Sequence, residues 1–144
     1  MTGTVQIAPR ALDALEREAA EAAPGECCGL LAGRDGRVEE IYPVPNVAAA
    51  PESRYEMSPA EMWAARRLAA DARLEVVGFY HSHPRTPPSP SSYDIERAYY
   101  PDAVYLIVGV EPRPEIRAFR IAGGTVREIE IVRSCQKPCE PELV

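Results

Sequence analysis

The two histidines of the chain, His81 and His83, stand on either side of a single serine and follow the apolar run 74–80. A short run rich in apolar and aromatic residues predicts a buried strand. Because residues i and i+2 of a strand point to the same face, both imidazoles project side by side at the strand's end. Asp94 follows shortly after, and two imidazoles with one carboxylate are a ligand set that zinc uses.

Three protein ligands leave the fourth position of a tetrahedral zinc open, which is typical of catalytic rather than structural sites. Bound zinc lowers the pKa of a water molecule from about 15.7 to about 7. The residues therefore predict one zinc ion per chain, with water as the fourth ligand and hydrolysis at neutral pH as the chemistry.

Each candidate residue also has a plain structural interpretation. His81 and His83 can be surface or hydrogen-bonded strand residues, and Asp94 can be a first-turn acid that complements a helix dipole. Ser91 can be a helix cap and nothing more. Glu26, at the mouth of an apolar strand, can be a surface acid at a helix–strand junction. Their occurrence together, beside a proline-rich connection, favours a site.

The segment 84–90 connects the histidines to Asp94 and contains four prolines. Proline reduces the number of unfolded conformations of a loop, which here helps to hold Asp94 against the imidazoles. Ser91 or Ser92 is the predicted N-cap of a helix that runs to about residue 98.

The rest of the chain predicts alternating helices and strands. A first helix opens at Pro9 and ends near residue 24, and a second opens at Pro59 after a capping box and ends near residue 72, with Leu68 on its buried face. Predicted strands cover 4–7, 26–33, 38–44, 54–57, 74–80 with the histidines at its end, 103–110, 115–121 and 125–132.

Composition limits the class of protein. The chain has 144 residues, 46% hydrophobic and 26% charged, enough for one domain with a core, which we expect over 1–132 with a flexible tail over 133–144. The net charge of −6 argues against sequence-independent binding to nucleic acid or to anionic membrane. No apolar run reaches the roughly 18 residues of a membrane span, and the first residues lack a signal pattern. We expect a cytoplasmic protein.

Four cysteines do not make a disulfide scaffold in a chain of this length. Cys27 and Cys28 are adjacent and rarely bridge each other. Cys135 and Cys139 can be free thiols, close a small loop or bind a metal, and the sequence leaves their role open.

The arrangement resembles the JAMM (MPN+) zinc metalloprotease family, whose motif is Glu, then His-x-His, seven residues, Ser, two residues and Asp. His81, His83, Ser91 and Asp94 match it without a gap, and Glu26 in Pro-Gly-Glu-Cys-Cys-Gly-Leu-Leu is similar to the upstream glutamate. The resemblance covers residues 4–132. It implies an α/β MPN domain with a mixed, mostly antiparallel curved sheet flanked by helices, similar in architecture to cytidine deaminases.

The resemblance also implies roles for the five residues. His81, His83 and Asp94 bind zinc. Glu26 takes a proton from the attacking water and passes it to the leaving amine. Ser91 donates a hydrogen bond to the oxyanion of the tetrahedral intermediate.

Members of this family cleave the amide or isopeptide bond after the C-terminal Gly-Gly of ubiquitin or a ubiquitin-like protein. The chain is minimal, like stand-alone prokaryotic members, which implies a small sulfur-carrier protein as partner. The reaction is then deconjugation, tail trimming or release of cysteine, by a monomer or homodimer. We expect the segments 46–57 and 99–102 to shape a groove for the carrier's tail, held by strand addition.

Two other functions compete. A non-catalytic MPN module that only scaffolds a complex usually lacks the ligands that this chain retains. A nucleobase deaminase needs His/Cys-x-Glu with Pro-Cys-x-x-Cys, and neither pattern occurs here.

Overall fold

The computed structural model describes residues 3–134, which contain seven strands and three helices. The elements are β1 (Thr4–Ile7), α1 (Pro9–Ala22), β2 (Cys28–Arg34), β3 (Arg37–Val44), α2 (Pro59–Asp71), β4 (Glu75–His83), α3 (Ser92–Glu96), β5 (Val104–Gly109), β6 (Glu115–Ala122) and β7 (Thr125–Arg133).

The strands form one mixed sheet in the order β1-β3-β2-β4-β5-β6-β7, which closes into a barrel. Four pairings are antiparallel, whereas β1 runs parallel to both β3 and β7, and β4 runs parallel to β5. The predicted mixed, mostly antiparallel curved sheet is confirmed, but the sheet curves so far that it closes into a barrel. The short β1 makes that closure, because it pairs with β7 along its length and with β3 at Ile7 and Val38. The likeness to cytidine deaminases stays a prediction.

Each face of the sheet carries an apolar cluster with its own helix. On one face, Leu12 and Leu15 of α1 pack with alternate residues of the strands, such as Tyr80 and Leu106. On the other, Ala65 of α2 packs with the intervening residues. Phe79 belongs to this second face, and the period of two therefore places His81 and His83 there also. The core thus decides which side of the sheet carries the candidate ligands.

The helices begin where the sequence predicts. Proline stands in the first turn of α1 and of α2, and Ser58 Oγ accepts a hydrogen bond from the Glu61 amide. Helix α3 is shorter than predicted and ends at Glu96.

Three local predictions are wrong. Residues 54–57 form no strand, since only Met57 makes an isolated bridge with Asn46. Strand β2 begins at Cys28, so Glu26 lies just before it. Leu68 is 59% exposed. Helix α2 buries only a narrow stripe, formed by Ala65 and Ala69, so Leu68 lies outside the buried face.

A close approach of two strands positions the histidine strand. A Cβ atom on Gly78 would lie 2.0 Å from the carbonyl oxygen of Val104, so only glycine permits the observed contact of β4 with β5. The parallel register then sets His81 beside Ile107 and His83 beside Gly109.

The two ends of the described chain lie beside each other. Arg133 pairs with Ile7 at the end of β7, and the Ser134 amide donates to Ile7 O at 3.0 Å. Apart from these two residues, the predicted tail lies outside the described residues, and so do Cys135 and Cys139. Cys27 and Cys28 are buried free thiols. None of the helices described here has the length and apolar character needed to span a membrane.

Candidate metal centre

Three buried side chains from two elements converge at one point. His81 Nε2, His83 Nε2 and Asp94 Oδ2 lie 3.1 Å from one another in all three pairs. Each residue is less than 9% exposed. Among residues 3–134, this is the group of histidine, cysteine and acidic side chains that is close enough to share a metal ion.

The triangle fits a tetrahedral metal ion. Ligands of an ion bound at about 2.0–2.1 Å stand about 3.3 Å apart, close to the observed edges. His83 Nδ1 lies 2.8 Å from Pro87 O, and because a carbonyl can only accept, this nitrogen carries the proton. The His83 Nε2 lone pair therefore points to the triangle. A shared cation allows all three atoms to use their lone pairs at once.

Local structure orients the third ligand. Ser91 caps α3: its Oγ accepts from the Asp94 amide at 3.0 Å, and its own amide donates to Asp94 Oδ2 at 2.9 Å. This reciprocal capping box turns the carboxylate toward the histidines. The Pro87 carbonyl and the Ser91 amide are the kind of supporting partners that fix ligand orientation in metal sites. The proline-rich connection thus holds His83 as well as Asp94.

The acid–base balance of the cluster favours an anionic carboxylate. Burial alone would raise the pKa of Asp94, but hydrogen bonds with His81 and His83 hold it well below its ordinary value. Burial lowers the pKa of His81, partly offset by Asp94. Burial also opposes protonation of His83, but Asp94 and the Pro87 carbonyl raise its pKa. A neutral His81 beside an ionised Asp94 suits metal binding, which needs deprotonated ligands.

Glu26 lies at the edge of the same cluster. Cys28 pairs with His81 in the antiparallel ladder of β2 and β4, so two further residues of that register bring Glu26 opposite His83. Its side chain is buried, and Oε1 has no hydrogen-bond partner within the described protein. Burial raises the pKa of Glu26 to about 7; the charge of His83 lowers it and that of Asp94 raises it. A carboxyl group with this pKa can accept and return a proton near neutrality.

Ser91 is both a cap and an available donor. Its oxygen accepts the Asp94 amide, which leaves the hydroxyl hydrogen free. Its side chain is on the exposed side of the cluster. The structure therefore brings all five predicted residues to one place, and the helix-capping interpretation of Ser91 does not compete with an oxyanion role.

Sequence reasoning missed Ser82, which lies between the two histidines and points to the opposite face of β4. Ser82 is fully buried, and its Oγ accepts the Cys27 amide at 2.9 Å. The sequence does carry one signal for this role, since Ser82 is a polar residue on the face of β4 that is otherwise apolar.

Two residues of the segment 46–57, hereafter the 46–57 loop, were also missed. The Tyr55 ring stacks on the His81 ring, with centroids 4.4 Å apart and planes at 23°. Asn46 hydrogen bonds with several residues of the loop and with Glu26 O. Nothing in the local sequence indicates either contact, since both depend on how the loop returns to the sheet.

A mostly aromatic cleft of about 250 Å³ adjoins the cluster. Tyr55, which covers His81, forms one of its walls. The lining residues come from the 46–57 loop, α2, β4, β5 and the segment after α3: Tyr55, Glu56, Met57, Met62, Phe79, Arg97, Tyr99, Tyr100 and Tyr105. The two segments that were predicted to shape a groove therefore both contribute to this cleft.

Comparison with known proteins identifies the chain's relatives. Residues 8–122 match the family model described as prokaryotic homologs of the JAB domain. A protein named desampylase from Haloferax volcanii is 40% identical over 133 residues, covering 88% of this chain and 94% of that protein. A protein named CysO-cysteine peptidase from Mycobacterium tuberculosis is 38% identical over 109 residues, covering 73% and 74% of the two chains.

Solved structures of related proteins resemble this fold. A protein from Desulfitobacterium hafniense has a TM-score of 0.82 at 33% identity, covering 92% of this chain and 94% of its own. A JAB1/MPN domain protein from Archaeoglobus fulgidus has a TM-score of 0.59 at 21% identity, covering 88% and 98%, and shares the fold.

Proposed function

The chain belongs to the family of prokaryotic homologs of the JAB domain, the stand-alone prokaryotic type of the JAMM/MPN+ proteins, and from this premise we propose that it is a zinc-dependent peptidase. Its proposed substrate is the amide bond after the C-terminal Gly-Gly of a small ubiquitin-like sulfur carrier. The observation that carries the proposal is the triangle of His81, His83 and Asp94 next to a buried Glu26 oxygen without a partner in the described protein.

His81, His83 and Asp94 would hold one zinc ion per chain. When bound, zinc would act as a Lewis acid and lower the pKa of water to about 7. The buried setting supports this assignment, because neutral histidines cannot balance the charge of the ionised Asp94 carboxylate, whereas a cation at the centre of the triangle would.

Glu26 is the proposed general base and acid. Burial favours the protonated form of Glu26 by raising its pKa, and the same carboxyl group can accept a proton from the attacking water and deliver it to the leaving nitrogen. The free Oε1 is the atom available for that transfer.

Ser91 is the proposed oxyanion donor. The hydroxyl hydrogen that its capping role leaves free can be donated to the oxygen of the tetrahedral intermediate. Loss of one such donor typically costs about 10²–10³ in rate.

The substrate class follows from the relatives and from the cleft. One relative is named CysO-cysteine peptidase, and another is named desampylase. The aromatic cleft supplies an apolar surface beside the ligands for the residues that precede Gly-Gly. Because the sheet is closed, we propose that the extended tail pairs with the 46–57 loop rather than with a free sheet edge. The proposed setting is the cytoplasm, and monomer and homodimer are both compatible with the proposal.

The test is cleavage of a sulfur carrier that bears a C-terminal extension after Gly-Gly, followed by mass spectrometry with and without a zinc chelator. We expect one cut after Gly-Gly, its loss with chelator and its return on addition of Zn²⁺. The matched control is the same extended carrier with Gly-Ala in place of Gly-Gly before the extension. Cleavage that is indifferent to chelation contradicts the zinc mechanism, and lack of cleavage of carriers with peptide, lysine or cysteine leaving groups contradicts the substrate class.

The second candidate function is a non-catalytic MPN scaffold. It predicts purified protein that holds no metal and takes up none. The complete ligand set, held by the Pro87 carbonyl and the Ser91 amide, favours the peptidase instead.

A further inference from the structure

We propose that Asn46 is a positioning residue that holds Glu26 in register with the metal ligands, an inference that rests on the proposed peptidase function and deepens it. Asn46 is half-buried and lies where the chain leaves β3 for the 46–57 loop. Asn46 is neither one of the candidate ligands nor one of the residues that line the aromatic cleft, so its role is indirect.

The Asn46 side chain uses its full hydrogen-bonding capacity. Nδ2 donates to Glu26 O at 2.9 Å and to Arg54 O at 3.1 Å, with a longer contact to Pro51 O at 3.5 Å. Oδ1 accepts the amides of Ala48 and Glu56, both at 3.0 Å. An amide group has two hydrogens and two acceptor sites, so these four bonds saturate it. No other side-chain type of this length offers two donors and two acceptors together.

These bonds join Glu26 to the loop. The Glu26 amide donates to Pro51 O at 2.7 Å, and its carbonyl accepts from Asn46. Both backbone polar groups of Glu26 are therefore bonded to the 46–57 loop, although Glu26 lies outside the strand ladder that begins at Cys28. The ladder alone does not fix the backbone of the proposed base.

The same amide also sets the position of Tyr55. Its two flanking residues, Arg54 and Glu56, are bonded to Asn46 through the Arg54 carbonyl and the Glu56 amide. Tyr55 in turn stacks on the His81 ring. One side chain thus links the proposed base to the residue that covers a metal ligand, so displacement of the loop would move both relative to the substrate.

Asn46→Asp provides the test, because it keeps the acceptor atom and the shape but replaces the NH₂ donor with an oxygen that faces three carbonyls. We expect kcat to fall about 10- to 100-fold, a larger factor than any change in KM or zinc affinity, since small misplacement of a catalytic group has effects of that size. Ser53→Ala is the matched control: its hydroxyl lies in the same loop and bonds only Ala50 O at 3.4 Å, so its kcat stays near wild type.

A double-mutant cycle distinguishes positioning from a general structural role. If Asn46 acts through Glu26, Asn46→Asp lowers kcat by less than about threefold in a Glu26→Gln background, because the group it positions is already lost. If Asn46→Asp lowers kcat by the same factor in the wild-type and Glu26→Gln backgrounds, the proposal is overturned. If Asn46→Asp does not fold by circular dichroism, Asn46→Ala takes its place, and failure of both to fold makes Asn46 a folding residue and overturns the proposal.

Amide hydrogen exchange in the metal-free protein gives a readout without activity. In Asn46→Ala, we expect the amides of Glu26, Ala48 and Glu56 to exchange at least about tenfold faster, while those of β5 keep their protection. Unchanged exchange at Glu26 overturns the proposal. Since this measurement uses no substrate, it decides whether Asn46 holds Glu26 even if the wild-type protein cleaves no carrier conjugate, a result that would defeat only the proposed function.

Discussion

Cys27 and Ser82 are joined by two hydrogen bonds in opposite directions: the Cys27 amide donates to Ser82 Oγ at 2.9 Å, and the Ser82 amide donates to Cys27 O at 3.0 Å. The pair extends the contact of β2 and β4 one residue beyond Cys28 and His81. Glu26 precedes Cys27, and the two histidines flank Ser82. This single pair therefore connects the proposed base to both histidines of the candidate metal site.

Replacement of Ser82 by alanine removes the hydrogen bond from the Cys27 amide to Ser82 Oγ and leaves the backbone bond. The buried Cys27 amide then loses its acceptor, which costs about 1–3 kcal/mol of unfolding free energy. We expect a corresponding loss in urea denaturation and a kcat reduced by about tenfold or more through misplacement of Glu26. Ser92→Ala, at an exposed position of α3, is the control and should leave both near wild type. Wild-type kcat in a destabilised Ser82→Ala would show that Cys27 and Ser82 serve only the fold.

Glu26→Gln should retain zinc and lose nearly all peptidase activity, because glutamine cannot accept the proton. Zinc content by atomic emission and single-turnover cleavage measure the two properties. Substantial turnover by the variant would remove Glu26 from the proposed role as base.

The raised pKa of Glu26 also predicts that the wild-type residue destabilises the metal-free protein above neutral pH. Its folded pKa is about 7, against an ordinary value of 4.5, so protonated Glu26 favours folding. That contribution is complete below pH 4.5 and is lost as pH rises through 7. Metal-free Glu26→Gln should therefore be more stable than wild type at about pH 8, by at most about 3 kcal/mol, and nearly equal at about pH 4. Equal stability of the two proteins at both pH values would contradict the raised pKa.

Asp94→Ala should weaken zinc binding by orders of magnitude. It removes one of three ligand atoms and also the acceptor of the Ser91 amide, so the 84–94 connection loses its capping box. Competition with a chromophoric chelator measures the affinity, and Glu96→Ala, an exposed acid on the same helix, is the control. If Asp94→Ala bound zinc as tightly as wild type, a different side chain would be the third ligand.

Tyr55→Ala should raise KM and loosen the metal site, whereas Tyr55→Phe should behave as wild type. The ring both stacks on His81 and lines the aromatic cleft, and none of the hydrogen bonds found among residues 3–134 involves its hydroxyl. Steady-state kinetics on the carrier fusion give KM, and the zinc affinity is measured as for Asp94. A defect in the phenylalanine variant would point to the hydroxyl instead of the ring.

The sequence by itself determined the candidate ligand set and most of the framework. The His-x-His spacing at a strand's end, the prolines of 84–90 and the capping residues near Asp94 are local signals, since strand period and helix capping act over a few residues. They predicted β4, the N-cap of α3 and the meeting of His81, His83 and Asp94, all of which the structure contains.

Only the tertiary structure decided how the sheet closes and how Glu26 is held. Closure depends on β1 pairing with β7 across nearly the whole chain, and no local pattern encodes such a partner. The 46–57 loop has no regular periodicity, so its predicted strand was wrong and the contacts of Asn46 and Tyr55 went unseen. Hydrogen bonds between residues far apart in sequence depend on the folded path of the chain. The meeting of the candidate ligands could therefore be predicted from spacing, whereas the residues that support them could not.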